Sequence, residues 1–247
     1  MKYTAIFIIF LLISCKETKT KVDEIKEPIK ERKDIKVPNL KYSSFFNGIR
    51  NETEYEEFYG NYRNDRFNSP KQALFLDGVS DYGKIYNTEE LNPKKELTIA
   101  LWYKSDNFKG NGNNVILAKP NLVDKKPVYQ YAITTVGPMY QKIPGTVKFF
   151  ISIDGKLISL VTGANVLKPN QWQHIIGTYD GKTVKLYVDG QLTKSRPAMG
   201  IIDVYDTDLH LGVTPNSKFH TPGFYDDLKV YDRAISDDEI KTLWNNQ

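Results

Sequence analysis

The chain has 247 residues, 40% of them hydrophobic and 26% charged, enough to bury one sizeable core in a single domain. Its 34 basic and 30 acidic residues nearly cancel to +4, which excludes a strong electrostatic footprint for nucleic acid. One cysteine excludes a disulfide framework and a multi-thiolate zinc site, while 16 Tyr against 3 Met favours β-structure. At the start of the chain, Lys2 precedes an apolar run from Ala5 to Ile13, about half of what a membrane-spanning helix needs. With Ser14 and Cys15 following directly, residues 1–14 read as a secretory signal peptide.

Leu12-Ile13-Ser14-Cys15 resembles the lipobox of bacterial lipoproteins: an aliphatic residue, two permissive positions, then cysteine. The resemblance implies lipidation at Cys15 and anchoring by acyl chains, each buried CH₂ contributing about 0.8 kcal/mol. Lys16 stands where an inner-membrane retention signal would place Asp, which by the same resemblance implies the outer membrane of a Gram-negative cell. Residues 16–39 then hold eight basic and six acidic residues, Pro28, Pro38 and no aromatic. Such a segment cannot offset its ordering entropy by burial, so residues 15–39 are expected to be a disordered charged tether.

From residue 40 the pattern changes. Leu97, Ile99, Leu101 and Tyr103 share one face against Thr98, Ala100, Trp102 and Lys104. Val147, Phe149, Ile151 and Ile153 alternate in the same way, as do Val184, Leu186 and Val188. Period-two alternation predicts half-buried strands, and Asp154-Gly155, Asp180-Gly181 and Asp189-Gly190 between such runs predict tight turns. Residues 49–68, with Tyr55, Phe58, Tyr59 and Tyr62 amid acids, read as a loop or short helix packed on the strands. Ser236-Asp237-Asp238-Glu239 is a capping box before Ile240, Leu243 and Trp244, and predicts a C-terminal helix laid across a sheet. About a dozen short strands with one terminal helix define an all-β antiparallel sandwich or barrel.

Five blocks, in order, resemble laminin-G-like domains of the concanavalin A-like superfamily. They are Ala73–Tyr82 (ALFLDGVSDY), Leu97–Lys104 (LTIALWYK), Trp172–Gly181 (WQHIIGTYDG), Leu186–Gly190 (LYVDG), and Gly223–Tyr231 with Arg233–Ser236 and Glu239-Ile240. With Phe45-Phe46-Asn47-Gly48 as a first strand, the resemblance implies a two-sheet jelly roll over residues 40–247.

Enzymes of this fold set a matching expectation. The Glu-x-Asp-x-x-Glu strand of its retaining glucanases, which places two carboxylates about 5 Å apart, is not found on any predicted strand. Gln171-Trp172-Gln173-His174 is the one local echo of the alginate-lyase motifs, and its Gln–His spacing is wrong. The chain therefore reads as non-catalytic. His174 reads as a hydrogen-bonded strand histidine. Asp226, on a face shared with Phe224, Leu228 and Val230, is expected to point inward, where a lone charge is costly. Backbone amides or Tyr hydroxyls are expected partners, or a structural calcium held with oxygens near Asn47, as the resemblance to the glucanases implies.

Ligand contacts are expected from aromatic and amide residues of the connections: Phe108 and Asn111, Tyr140, Tyr205 and Phe219. Sugar rings stack on aromatics and their hydroxyls pair with amides. The expected protein is a cell-envelope lipoprotein that binds carbohydrate and reaches the membrane through its lipid. A protein–protein or envelope-structural module is the alternative, and an atypical glycoside hydrolase or polysaccharide lyase the third reading.

Overall fold

The computed structural model describes residues 37–44, 46, 56–106, 113–121, 125–136, 144–213 and 220–245. The alternating runs form strands: β1 (Leu40–Ser44), β2 (Glu56–Tyr59), β3 (Asn61–Arg63), β4 (Ala73–Leu76), β5 (Tyr82–Ile85), β6 (Leu97–Lys104), β7 (Asn113–Pro120) and β8 (Tyr129–Val136). They continue as β9 (Val147–Ile153), β10 (Lys156–Val161), β11 (Gln173–Tyr179), β12 (Thr183–Val188), β13 (Gln191–Pro197), β14 (Leu209–Leu211) and β15 (Gly223–Tyr231), followed by helix α1 (Asp237–Asn245). One antiparallel sheet runs β13-β12-β11-β6-β15-β4-β3, with β1 also paired to β15. The other runs β10-β9-β8-β7-β14-β5-β2. The two sheets face each other as a jelly-roll sandwich, the architecture that the resemblance to laminin-G-like domains implies.

Leu97, Ile99, Leu101 and Tyr103 of β6 enter the core between the sheets, with Val147, Phe149 and Ile151 of β9, Ile175 of β11, and Leu228 and Val230 of β15. Gly177 lets the opposing sheet come close: a Cβ there would lie 2.5 Å from the Phe149 ring. Asp154-Gly155 (φ 46° and 71°) and Asp189-Gly190 (φ 51° and 72°) turn β9 into β10 and β12 into β13 with both residues left-handed. That backbone twist matches paired strands, which is why Asp-Gly closes these hairpins.

Residues 56–63 differ from the expected loop or helix. They are two short edge strands, β2 in one sheet and β3 in the other, joined at Gly60. The acids obscure the strand pattern because they are bonded on the edge: Glu56 accepts from Tyr42 Oη and Glu57 from Tyr86 Oη. Val37, which composition places in the tether, is buried beside Tyr231 and Ile240, and Pro38 O accepts from Arg233. The packed chain therefore includes residue 37.

The capping box forms as expected. Ser236 Oγ accepts from Glu239 N at 3.2 Å, and Glu239 Oε2 from Ser236 N at 2.8 Å. Arg233 forks onto the same carboxylate and, with Ser236, holds it down to about 2. Ile240 and Leu243 of α1 are buried on the outer face of the β6 sheet against Ala100, Ile176 and Tyr187.

Candidate functional site

The outer face of the β6 sheet divides into three zones along β6. At Thr98 and Ala100 it is closed by α1 and the segment before it. Thr98 Oγ1 donates to Arg233 O at 2.7 Å and accepts from Ile235 N at 3.0 Å.

The middle zone centres on Trp102, and a bulge creates it. Asp226 pairs with Trp102 and Lys229 with Ala100, so three steps on β15 oppose two on β6, with Asp227 left-handed at φ 48°. The extra residue reverses the alternation. Phe224 and Asp226 therefore lie on the outer face with Trp102, whereas Leu228 and Val230 enter the core, which corrects the expectation that all four share the inward face.

Burial comes from the loop after β3. Asp65 Oδ1 shapes it by accepting from Phe67 N at 2.9 Å and Ser69 N at 2.8 Å. The loop lays Arg66 over the Phe67 and Trp102 rings, 4.3 and 4.9 Å from their centroids. Its guanidinium reaches Asp226 Oδ2 at 2.5 Å and Asp227 Oδ2 at 2.6 Å, and Lys229 lies 3.4 Å from Asp227 Oδ1. The buried acid thus has a cationic partner, the Arg66 guanidinium. These residues do not fit a calcium ion, because a cation already stands against Asp226. Among the described residues no three His, Cys, Asp or Glu side chains gather to hold a metal, and Asn47 lies outside them.

His174 stacks on Trp102 at 4.8 Å and 13°. Its backbone N donates to Asp189 Oδ1 at 2.9 Å, but its buried Nδ1 has no hydrogen-bond partner among the described residues. Burial, reinforced by Lys229 and Arg66 and opposed by Asp227, pushes its pKa down to about 3. A neutral, stacked imidazole here is scaffold.

The third zone is open. Phe75 of β4 and Phe224 of β15 pair across the strands, centroids 4.7 Å apart, and Trp172 stands edge-on to Phe224 at 6.2 Å. All three rings are half-buried. Lys104 Nζ lies 4.2 Å from the Phe224 centroid and 5.1 Å from that of Trp172, and Arg63 Cζ is 5.7 Å from that of Phe75. Burial pulls the Lys104 ammonium below its ordinary pKa. The zone is a platform of three rings and two cations. Its chemistry is stacking, apolar contact and ion pairing; the nearby carboxylates Asp226 and Asp227 are already occupied by Arg66 and Lys229.

Of the residues expected to bind ligand, Phe108, Asn111, Tyr140 and Phe219 lie outside the described residues, as does Cys15. The strand ends flanking their segments come together. Asn113 pairs with Val136, and β14, which pairs with β7, leaves toward the same end. Tyr205 sits at the opposite end of that sheet. Its N donates to Gln130 Oε1 at 2.9 Å and its carbonyl accepts from the buried Lys119 ammonium at 2.9 Å. The platform is missed in the sequence because ligand contacts are expected in the connections and Phe224 is expected inward with Leu228 and Val230, whereas the bulge at Asp227 turns it outward beside Phe75.

Comparison with known proteins places the fold. The receptor-binding domain of a botulinum neurotoxin C/D mosaic serotype superposes with a TM-score of 0.62 at 13% identity, over 85% of this chain and 51% of that one. The binding domain of Paraclostridial Mosquitocidal Protein 1 gives 0.53 at 16% identity, over 76% and 52%. This chain thus spans about half the length of these solved relatives. Human pappalysin-1 is 25% identical over 128 residues, 49% of this chain and 8% of that protein. The laminin-G-type family profile described as the concanavalin A-like lectin/glucanases superfamily matches residues 77–241, about two thirds of the chain, and the chain belongs to that superfamily.

Proposed function

We propose that this chain is a non-catalytic carbohydrate-binding module, presented from the cell envelope on a lipid at Cys15 and a charged tether. The observation that carries the reading is the half-exposed platform of Phe75, Trp172 and Phe224 on the outer sheet face. Sugar rings offer apolar faces to such rings, each aromatic contact contributing of order 1 kcal/mol beyond buried area. Binding rather than turnover fits a site whose neighbouring carboxylates are held in ion pairs. The toxin relatives are named as binding or receptor-binding domains, which supports a recognition role on this fold.

A glycan-array screen on the full chain in detergent tests it. At least one polysaccharide should bind, and Trp172→Ala and Phe224→Ala should each weaken that binding about five- to tenfold. Their melting temperatures should stay near the wild-type value, because both rings are partly exposed. An array without a bound glycan, or variants that bind like wild type, would overturn the reading. The anchor has a separate check. Cys15→Ala should abolish incorporation of a labelled fatty-acid analogue, and equal label in both proteins would remove the lipid from the account.

A further inference from the structure

We propose, on the strength of the carbohydrate reading, that the glycan recognised by the platform is acidic: a polysaccharide whose ring lies on Phe224 and Trp172 while its carboxylate or sulfate group meets Lys104 and Arg63. The charge of the platform carries the inference. Lys104 and Arg63 both stand over aromatic rings, and neither has a carboxylate partner among the described residues. Three cations on or beside this sheet face are arranged differently. Arg66 engages two carboxylates, Lys229 one, and Arg233 the Glu239 carboxylate. Lys185 of β12 also has no carboxylate partner among the described residues, so what sets Lys104 and Arg63 apart is that they stand unpaired over aromatic rings.

The consequence for binding follows from solvation. Lys104 is half-buried by the rings beneath it and reaches water on its remaining side. A sugar laid on the platform removes part of that water. Covering an ammonium with neutral surface costs free energy, whereas covering it with an anion replaces hydration by a charge-assisted hydrogen bond. The rings reinforce the preference, since their negative faces hold the ammonium in place without neutralising it. Arg63, exposed at the edge on β3, adds a planar donor fork suited to an oxyanion. A neutral glycan would use the rings and leave both cations unpaired.

The test compares matched polymers that differ only in charge, using the full chain solubilised in detergent and immobilised. Polygalacturonate is set against its fully methyl-esterified form, and dextran sulfate against dextran, so the two pairs separate carboxylate from sulfate. The acidic member of at least one pair should bind about tenfold more tightly than its neutral partner. Raising salt from about 0.05 to 0.5 M should shrink the difference. Lys104→Gln should reduce the acidic polymer to the affinity of the neutral one, and Lys104→Arg should keep most of the discrimination. A neutral polymer bound as tightly as its acidic partner overturns the charge preference and leaves the carbohydrate reading standing. Retention of neither member of either pair overturns the charge preference, while the glycan array decides the carbohydrate reading separately. Equal binding of dextran sulfate by wild type and Lys104→Gln would show attraction elsewhere on the protein and overturn the assignment of this site.

Discussion

Replacing Arg66 by alanine is expected to destabilise the fold by about 3–5 kcal/mol, the cost typical of breaking a buried ion pair from one side. The Arg66 side chain is 3% exposed and its two partners 0% and 6%. Removing the guanidinium takes the cation from the buried Asp226 carboxylate and from Asp227, which keeps Lys229 at 3.4 Å. The substitution also takes a flat cation from between Phe67 and Trp102, so packing is lost with charge. Urea unfolding of the full chain reads the effect as a shift in midpoint at unchanged slope. A second variant isolates the electrostatic share: adding Asp226→Asn to Arg66→Ala should recover part of the loss. A loss under about 1 kcal/mol would mean that the carboxylates are solvated and the loop after β3 is not closed over them.

The second large effect depends on pH and on His174. The unfolded chain takes up a proton on this residue near 6.5, while the native chain does so only near 3, chiefly because the ring is buried. Protons therefore favour the unfolded chain between those values. The penalty is absent above about pH 6.5 and grows by about 1.4 kcal/mol per unit as pH falls, reaching about 4–5 kcal/mol near pH 3. His174→Phe keeps a flat ring against Trp102 and removes the titration. Measured by denaturant unfolding from pH 7 to pH 4, wild type should lose stability faster than the variant, by about one proton's worth of slope. Parallel curves would show that the imidazole is protonated in the native state or reaches solvent. Carboxylate titration is common to both proteins and cancels in the comparison.

These two sites mark where sequence patterns stop being informative. The alternation in β6, β9 and β12 assigns inward and outward residues correctly, because nothing interrupts a period of two. The capping box is equally local: Ser236 and Glu239 bond across three residues as their spacing dictates. Asp226 was assigned to the wrong face because a single bulge residue, Asp227, reverses the parity of everything after it, and an Asp at positive φ is indistinguishable in sequence from one in a regular strand. Arg66 was missed because it reaches its partners across 160 and 161 positions of chain. The strands β2 and β3 were hidden by Glu56 and Glu57, which look like loop residues until Tyr42 and Tyr86 supply their hydrogen bonds. The platform was legible in part. Phe75 lies between two core leucines, so parity turns it outward, whereas Phe224 shares the parity of core Leu228 and Val230 and is turned outward by the bulge at Asp227. What parity cannot supply is Trp172, which precedes its strand and arrives beside Phe224 only through the β11–β6–β15 order.

The three tryptophans of the chain report separately on the three zones of this sheet face. Trp244 sits on α1 near Gly190, Trp102 lies under Arg66, and Trp172 stands on the platform. The indole N–H resonances of ¹⁵N-tryptophan-labelled full chain, followed by NMR during titration with an oligosaccharide of whichever polymer binds, therefore locate the site in one measurement. The account predicts that the Trp172 signal shifts in saturable fashion while those of Trp102 and Trp244 stay in place. Saturable binding that leaves Trp172 unmoved would contradict it.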